Sequence, residues 1–335
     1  MRTRDLLSLS GLAVTLFSAA ALAEPTPYPL TLNNCGQQVT FTQVPERTVA
    51  LGQNSAEILF LLGLENRMAA TAFWPNEVLP ELATANDAVE VLTVEFPSLE
   101  AVLAKQPDFI PAMLVTLMGQ DSKVAKREDF EKLGIPTYLS PSACTTAATK
   151  DAYGSRDDLW TMDLLYQEID DLARIFDVQD RGQALIEDFK AREARLRDAF
   201  SQREDLTFLF WFSSPSPADD AYLGGGNGPS GYIADLLGGA NAVKTEAEWP
   251  TLGWEGIMAA NPTVFVAAQV DRNRWDLDKA EAKIAYLTSD PTVSRMDAVK
   301  AGRIAVMSGA AMNPSIRTLY GAEELAAQIK AFDLP

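Results

Sequence analysis

The sequence predicts an α/β protein with two similar lobes, each on a parallel sheet, joined by one long rigid helix. Three observations lead there. One is a repeat: residues 96–110 and 251–265 each place a glutamate, Glu100 or Glu255, seven residues before a proline, Pro107 or Pro262. Proline disfavours helix in the residue before it, so each copy reads as a short helix that stops and hands over to a buried strand. Another is alternation, since short β-branched or aromatic runs separated by helical stretches recur in both halves, the pattern of parallel sheets with helices on both faces. The third is Asp157 to Phe176, where Leu159, Met162, Leu165, Ile169, Leu172 and Ile175 fall three and four apart, as on one face of an uninterrupted helix. Length agrees: 335 residues at 47% hydrophobic content exceed what one core usually holds.

In chain order, Val39-Thr-Phe41 reads as an edge strand and Thr48-Val-Ala-Leu51 as a buried one. Asn54 or Ser55 then caps a helix to Leu62, with Gly63 as its stop. Met68 to Ala72 is the next strand, ending in Phe73-Trp74-Pro75. Glu100 to Lys105 and Asp108 to Met113 form the first helix–strand repeat, Arg127 to Leu133 a helix, and Thr137-Tyr-Leu139 a strand running on to Cys144. After the joining helix, a second helix covers Gln179 to about Phe200, and strands follow at Leu206 to Phe212, Val264 to Ala268 and Ile304 to Met307. The expected division is therefore a leader over 1–23, a first lobe over 24–156, the joining helix over 157–177 and a second lobe over 178–335.

The leader is read from Met1-Arg-Thr-Arg4, an apolar run from Leu6 to Leu22, and Ala21-Leu-Ala23, the small-x-small form of a signal-peptidase site. Cleavage is expected after Ala23. A membrane anchor is the alternative, but no stop-transfer charges follow the run. Two isolated cysteines, Cys35 and Cys144, agree with export as one structural disulfide, with two free buried thiols as the other option.

Composition excludes more than it includes. With no histidine in the chain, Ser-His-Asp and Cys-His catalysis, imidazole-bound zinc and histidine-bound haem all lack their side chain. Formal charge is −18, and removing two arginines and one aspartate with the leader makes it −19, a body that repels nucleic-acid phosphates and anionic lipid head groups. Gly224-Gly-Gly226 lacks the Lys-Ser/Thr of a phosphate-binding loop and reads as a turn whose backbone can approach a ligand. The acids at Asp276-Leu-Asp278 have no calcium-loop spacing.

Several strings in order resemble the periplasmic solute-binding proteins of ABC importers for iron complexes and cobalamin, whose two Rossmann-like lobes are bridged by one helix. They are Pro45 to Leu51 with Ala56-Glu-Ile58 and Leu62-Gly-Leu64, Leu99-Glu100 through Pro107-Asp108, Leu133-Gly-Ile-Pro136, Tyr232 to Gly239, Trp254-Glu255 through Pro262, and Gly302-Arg-Ile304. The resemblance covers nearly all of the chain after the leader. It implies that Glu100 and Glu255 dock onto arginines of a permease dimer driven by its ATPase, and that the protein is a monomeric, periplasmic binding component rather than an enzyme. The cargo it implies is a small-molecule metal complex, an iron siderophore or a corrinoid, with no resident cofactor or protein-held metal. Haem held through tyrosine, and a ligand-presenting sensor uncoupled from transport, are the alternatives.

Such ligands call for aromatic walls and a few arginines placed after strand ends. The residues expected to grip cargo are Trp74 in the first lobe and Trp211, Tyr222, Arg274, Trp275 and Arg317 in the second. Phe73, Met113 to Met118, Phe212, Trp249, Arg272 and Met312 to Ile316 also lie at such ends.

Overall fold

The computed structural model describes residues 24–147, 155–200, 205–272, 274–332 and 334. The expected leader, residues 1–23, lies outside the described residues. The chain opens with an antiparallel hairpin, β1 (Leu30–Asn34) and β2 (Gln37–Phe41), turned by Cys35 and Gly36, both at positive φ, as a two-residue loop matching the strand twist requires. Alternate residues of β1 are buried and exposed, the period-2 signature of a half-covered ribbon. The single edge strand expected at Val39 is thus one arm of a hairpin.

That hairpin is fastened to the first sheet. The Asn34 carboxamide donates to the Leu139 carbonyl and accepts from its N–H, both at 2.8 Å. The buried Arg127 guanidinium donates to the Asn34 carbonyl at 3.0 Å. A disulfide joins Cys35 to Cys144, which sits in a helix, Pro141–Ala147, where continuing strand was expected.

The first sheet has the order β4-β3-β5-β6 and is wholly parallel: β3 (Thr48–Leu51), β4 (Met68–Ala72), β5 (Ile110–Ala112), β6 (Thr137–Leu139). Every residue of β3, β5 and β6 is buried, as strands covered on both faces must be. After β3 the chain turns at Gly52 (φ 106), where a Cβ would stand 2.2 Å from Met113 Cγ. The next helix, Gln53–Leu61, therefore begins earlier than expected and has no side-chain cap. Asn54 and Ser55 are not caps; both are buried inside it.

The second sheet departs from the parallel expectation. Its order is β10-β8-β7-β11-β12, with β9 also on β7: β7 (Thr207–Ser213), β8 (Ala221–Gly224), β9 (Ala240–Asn241), β10 (Thr251–Leu252), β11 (Val264–Gln269), β12 (Ile304–Ser308). β7, β9, β11 and β12 run parallel, but β8 is antiparallel to β7 and β10 to β8. Residues 214–220 between β7 and β8 are too few for a parallel crossover, which needs about a dozen, so the chain returns antiparallel.

The joining helix spans Asp163–Ile175, six residues shorter at its start than the sequence suggests. The segment before it meets the second lobe instead: the Arg156 N–H donates to the Glu246 carbonyl, the Trp160 N–H to the Asn227 carbonyl, and Ser155 bridges Ala247. A helix begun at Asp157 would bond the Trp160 N–H to its own preceding turn, a group that Asn227 takes instead. The following helix, Gln179–Ala199, packs closely on the joining helix at Gly182, where a Cβ would lie 2.5 Å from that of Ala173. The largest apolar core runs through these two helices from one lobe into the other, from Phe41, Phe109 and Phe176 to Trp160, Tyr232 and Leu319.

Candidate functional site

Chain segments leaving β4, β5, β7 and β11, together with Asn313 and Pro314, converge on one cleft of about 1040 Å³ between the lobes. This is where an open α/β sheet presents its crevice. On the first-lobe side, Phe73 follows β4 with φ 67, a backbone state costly for a bulky residue. Its N–H and that of Trp74 donate to the Thr93 and Val94 carbonyls, both at 3.0 Å, which holds the turn. The Phe73 ring then lies 4.7 Å from Phe96, and the Lys123 ammonium sits 4.6 Å over the Phe96 face.

The second-lobe side is an aromatic box. Phe212 and Trp249 meet edge to face at 4.9 Å, and Tyr222 stacks on Trp275 at 5.1 Å. Arg272 lies 4.6 Å over Trp275 and 5.3 Å from Phe212. Its guanidinium donates to the buried Asp278 carboxylate at 3.2 Å. Asp278 also accepts from Ser213 Oγ at 2.6 Å and from the Arg274 and Trp275 N–H groups at 2.7 and 2.9 Å. Burial works against this carboxylate, but the bonds from Ser213, Trp275 and Arg272 prevail and hold its pKa below the usual carboxylate value. Behind it Lys283 donates to the Ala268 and Asp278 carbonyls, and burial pushes its ammonium down to about 7.

Of the residues expected to grip cargo, Trp74, Tyr222, Arg274 and Trp275 line the cleft. Trp74 is mostly packed away, with its indole N–H on Thr71 Oγ1 at 2.9 Å, and forms wall rather than a projecting contact. Arg274 reaches across the mouth to Glu95 of the first lobe at 3.4 Å. Trp211 does not line it: fully buried on β7, it packs against Trp254, Phe265 and Tyr286, because the strand's alternation turns it to the far face while Phe212 points to the cleft. Arg317 lines a smaller pocket that shares Phe73, Phe212 and Arg272 with the cleft. It is buried, donates through Nε to Glu57 Oε2 at 2.8 Å and through Nη2 to Glu57 Oε1, and ties the lobes together beneath the cleft. The Gly224–Gly226 turn lies away from the lining as well; its missing side chains admit Ser230 and the Ala247 carbonyl.

Sequence reasoning missed Lys123, Phe96 and Glu95, which line the cleft from loops without periodicity. It also missed the polar seam under the cleft. Asn54 Oδ1 accepts from the Ile316 N–H at 2.9 Å, and Asn54 Nδ2 donates to Glu168 of the joining helix at 3.3 Å, where Ser140 Oγ donates at 2.5 Å. Burial, aided by the nearby Asp171 charge, raises the Glu168 carboxyl to about 7 against the hydrogen bonds that lower it. On its other side the joining helix is pinned through Tyr166, whose hydroxyl, with that of Tyr232, donates to Glu193.

The repeated glutamates sit on the first turns of two short helices, Leu99–Leu103 and Trp254–Ala260. Both are exposed and neither has an ion-pair partner among the described residues. In each copy the residue before the repeat's proline is in the left-handed region: Gln106 (φ 50), past the Ala104 cap of the first helix, and Asn261 (φ 37), the cap of the second.

Two lobes thus meet at a cleft walled by aromatic rings from both. The sequence matches a family model described as periplasmic binding protein over residues 48–311, and the chain belongs to that family, the substrate-binding components of ABC importers. A periplasmic binding protein from Veillonella parvula is similar at 21% identity with a TM-score of 0.73, over 90% of this chain and 97% of that one. An ABC-type Fe3+-hydroxamate transport system structure from Saccharomonospora viridis is similar at 23% identity and TM-score 0.71, over 91% and 100%. A periplasmic heme-binding protein of Vibrio cholerae is similar at 18% identity and TM-score 0.63, over 84% and 98%. Identities this low carry the fold alone. No curated protein matches the sequence.

Proposed function

We propose that this protein is exported by a leader over residues 1–23, cut after Ala23, and captures a bulky metal chelate, an iron siderophore or a corrinoid, as a periplasmic monomer. It holds the chelate between lobes 24–156 and 178–335 and delivers it to a permease dimer coupled to an ATPase. The observation that carries this reading is the cleft itself: about 1040 Å³, walled by aromatic rings from both lobes. That size sits at the upper end of small-molecule sites, and flat apolar walls suit a large, partly apolar complex. The absence of histidine from the chain favours a ligand that brings its metal already enclosed.

Gripping is assigned to Tyr222, Trp275 and Arg274, with Trp74 behind the opposite wall. The absorption and mass spectra of protein purified from its native periplasm test the ligand class, because siderophore, corrinoid and haem each colour it differently. Haem remains the second reading because Tyr222 offers a phenol to the cleft; a Soret band lost in Tyr222→Phe would select it. Trp275→Ala is expected to weaken retention of the native ligand about tenfold or more by fluorescence titration; unchanged affinity would move the site.

Delivery is assigned to Glu100 and Glu255. A two-fold permease offering one cationic pocket per lobe accounts for a glutamate repeated where packing needs none, and losing a desolvated charge pair costs about 2–5 kcal/mol. Glu100→Ala with Glu255→Ala should leave melting temperature and ligand affinity intact while uptake collapses. Normal uptake in that double variant would refute the docking role.

A further inference from the structure

The charges around the cleft nearly cancel. Arg274 is matched by Glu95 at 3.4 Å, Glu248 by Arg156 at 3.1 Å, Asp271 by Lys279 at 3.6 Å and Arg272 by Asp278 at 3.2 Å. What remains among the described lining residues is Lys123 with two carboxylates, Glu77 and Asp121. In a chain of net charge −18, the cleft thus has no cationic excess with which to hold an anion. An anionic ligand would shed its hydration there without compensation, whereas a neutral one loses little.

Arg272 is the group that could have supplied that excess. It lies on the binding surface between Trp275 and Phe212, yet its partner Asp278 is wholly buried and fixed by Ser213 and two loop N–H groups. We propose that Asp278 sets the charge selectivity of the cleft: by neutralising Arg272 inside its aromatic sandwich, it leaves N–H donors for an oxygen-rich chelate and disfavours chelates with net negative charge. Asp278 is a positioning residue, because it acts on the ligand through Arg272 and through the loop that carries Arg274 and Trp275. The inference rests on the reading that the cargo is a metal chelate.

Two iron(III) complexes serve as probes, a neutral trihydroxamate and a tris-catecholate trianion, titrated by quenching of the cleft tryptophans Trp74, Trp249 and Trp275. The wild-type protein should prefer the neutral complex by about tenfold or more, a difference of about 1.4 kcal/mol. Asp278→Asn keeps an acceptor for the loop N–H groups but frees the Arg272 charge, so it should narrow that preference by about tenfold. A purely structural role would weaken both probes alike and leave their ratio unchanged, which would overturn the proposal. If Asp278→Asn does not fold, the wild type still decides. Raising salt from about 0.02 to 0.5 M screens charge and should leave the neutral probe unaffected while not weakening the trianion. A trianion that binds as tightly as the neutral complex, or loses affinity with salt as at a cationic site, refutes the inference. If neither complex binds, the iron-siderophore reading fails and the charge selectivity falls with it.

Discussion

Arg317 shows how residue type and residue role come apart. An arginine after an apolar run has the chemistry for an anionic ligand, but Glu57 occupies it from the other lobe, in a geometry that satisfies both ends of the guanidinium fork. Removing one partner of such a pair leaves a buried charge uncompensated. Arg317→Ala is therefore expected to lower unfolding free energy by about 3–5 kcal/mol in urea titrations, with Glu57→Gln in the same background recovering part of the loss. Glu168 offers a second test. Its carboxyl is raised to about 7 in the folded protein from 4.5, so the native state binds the proton more tightly. Its contribution is then fully present below about pH 4.5 and is lost as pH rises through about 7. Glu168→Gln keeps an acceptor for Ser140 and Asn54 without the charge. It should match the wild type near pH 5 and exceed it by up to about 3 kcal/mol at pH 8, measured by denaturant unfolding at both pH values. A pH-independent difference would remove the assignment.

At the scale of elements, the strands and most helices were legible because burial and period are local properties. Thr48–Leu51, Met68–Ala72 and Gln179–Ala199 stand where apolar pattern and punctuation put them. The misreadings share one cause, competition from distant backbone. Asp157 to Met162 has a helical period, but the Trp160 N–H bonds to the Asn227 carbonyl and the preceding Arg156 N–H to that of Glu246, and β8 is antiparallel because its connection is short. The hairpin β1–β2 is held by a covalent link whose partner cysteine is 109 residues away. In the chain-entropy account a loop of that length stabilises by about 4–5 kcal/mol. Cys35→Ser with Cys144→Ser should lower the melting temperature by several degrees and raise hydrogen exchange in residues 30–41 first, since the link closes on the turn of that ribbon. Unchanged protection there would show that Asn34 and Arg127 suffice.

For the whole molecule, the two lobes are not independent bodies. One apolar core continues through the joining helix and its neighbour, Glu57–Arg317 and Asn54–Ile316 cross between the lobes, and Tyr166–Glu193–Tyr232 ties the joining helix to the second. Thermal unfolding is expected to be a single transition, with coincident far- and near-ultraviolet dichroism and a calorimetric enthalpy equal to the van't Hoff value. Two resolved transitions would mean that the seam is weaker than its burial implies.

The sequence by itself determined the class of fold, the repeated helix–strand unit and the pair of exposed glutamates, because each rests on local period or on proline and glycine chemistry; a count of two cysteines left a disulfide or two free thiols, and the structure joins them. The sequence put candidate wall residues at the strand ends, and four of those expected to grip cargo, Trp74, Tyr222, Arg274 and Trp275, line the cleft, as do Phe73, Phe212, Trp249 and Arg272. Only the tertiary structure decided which neighbour in Trp211-Phe212 lines the cleft, since one residue of register exchanges the two faces of a strand. It also decided which carboxylate each arginine meets: Glu95 for Arg274, Asp278 for Arg272 and Glu57 for Arg317. Charge compensation between Arg272 and Asp278, or Arg317 and Glu57, depends on distances set by the packing of both lobes, and a one-dimensional pattern of residue types contains no such distance.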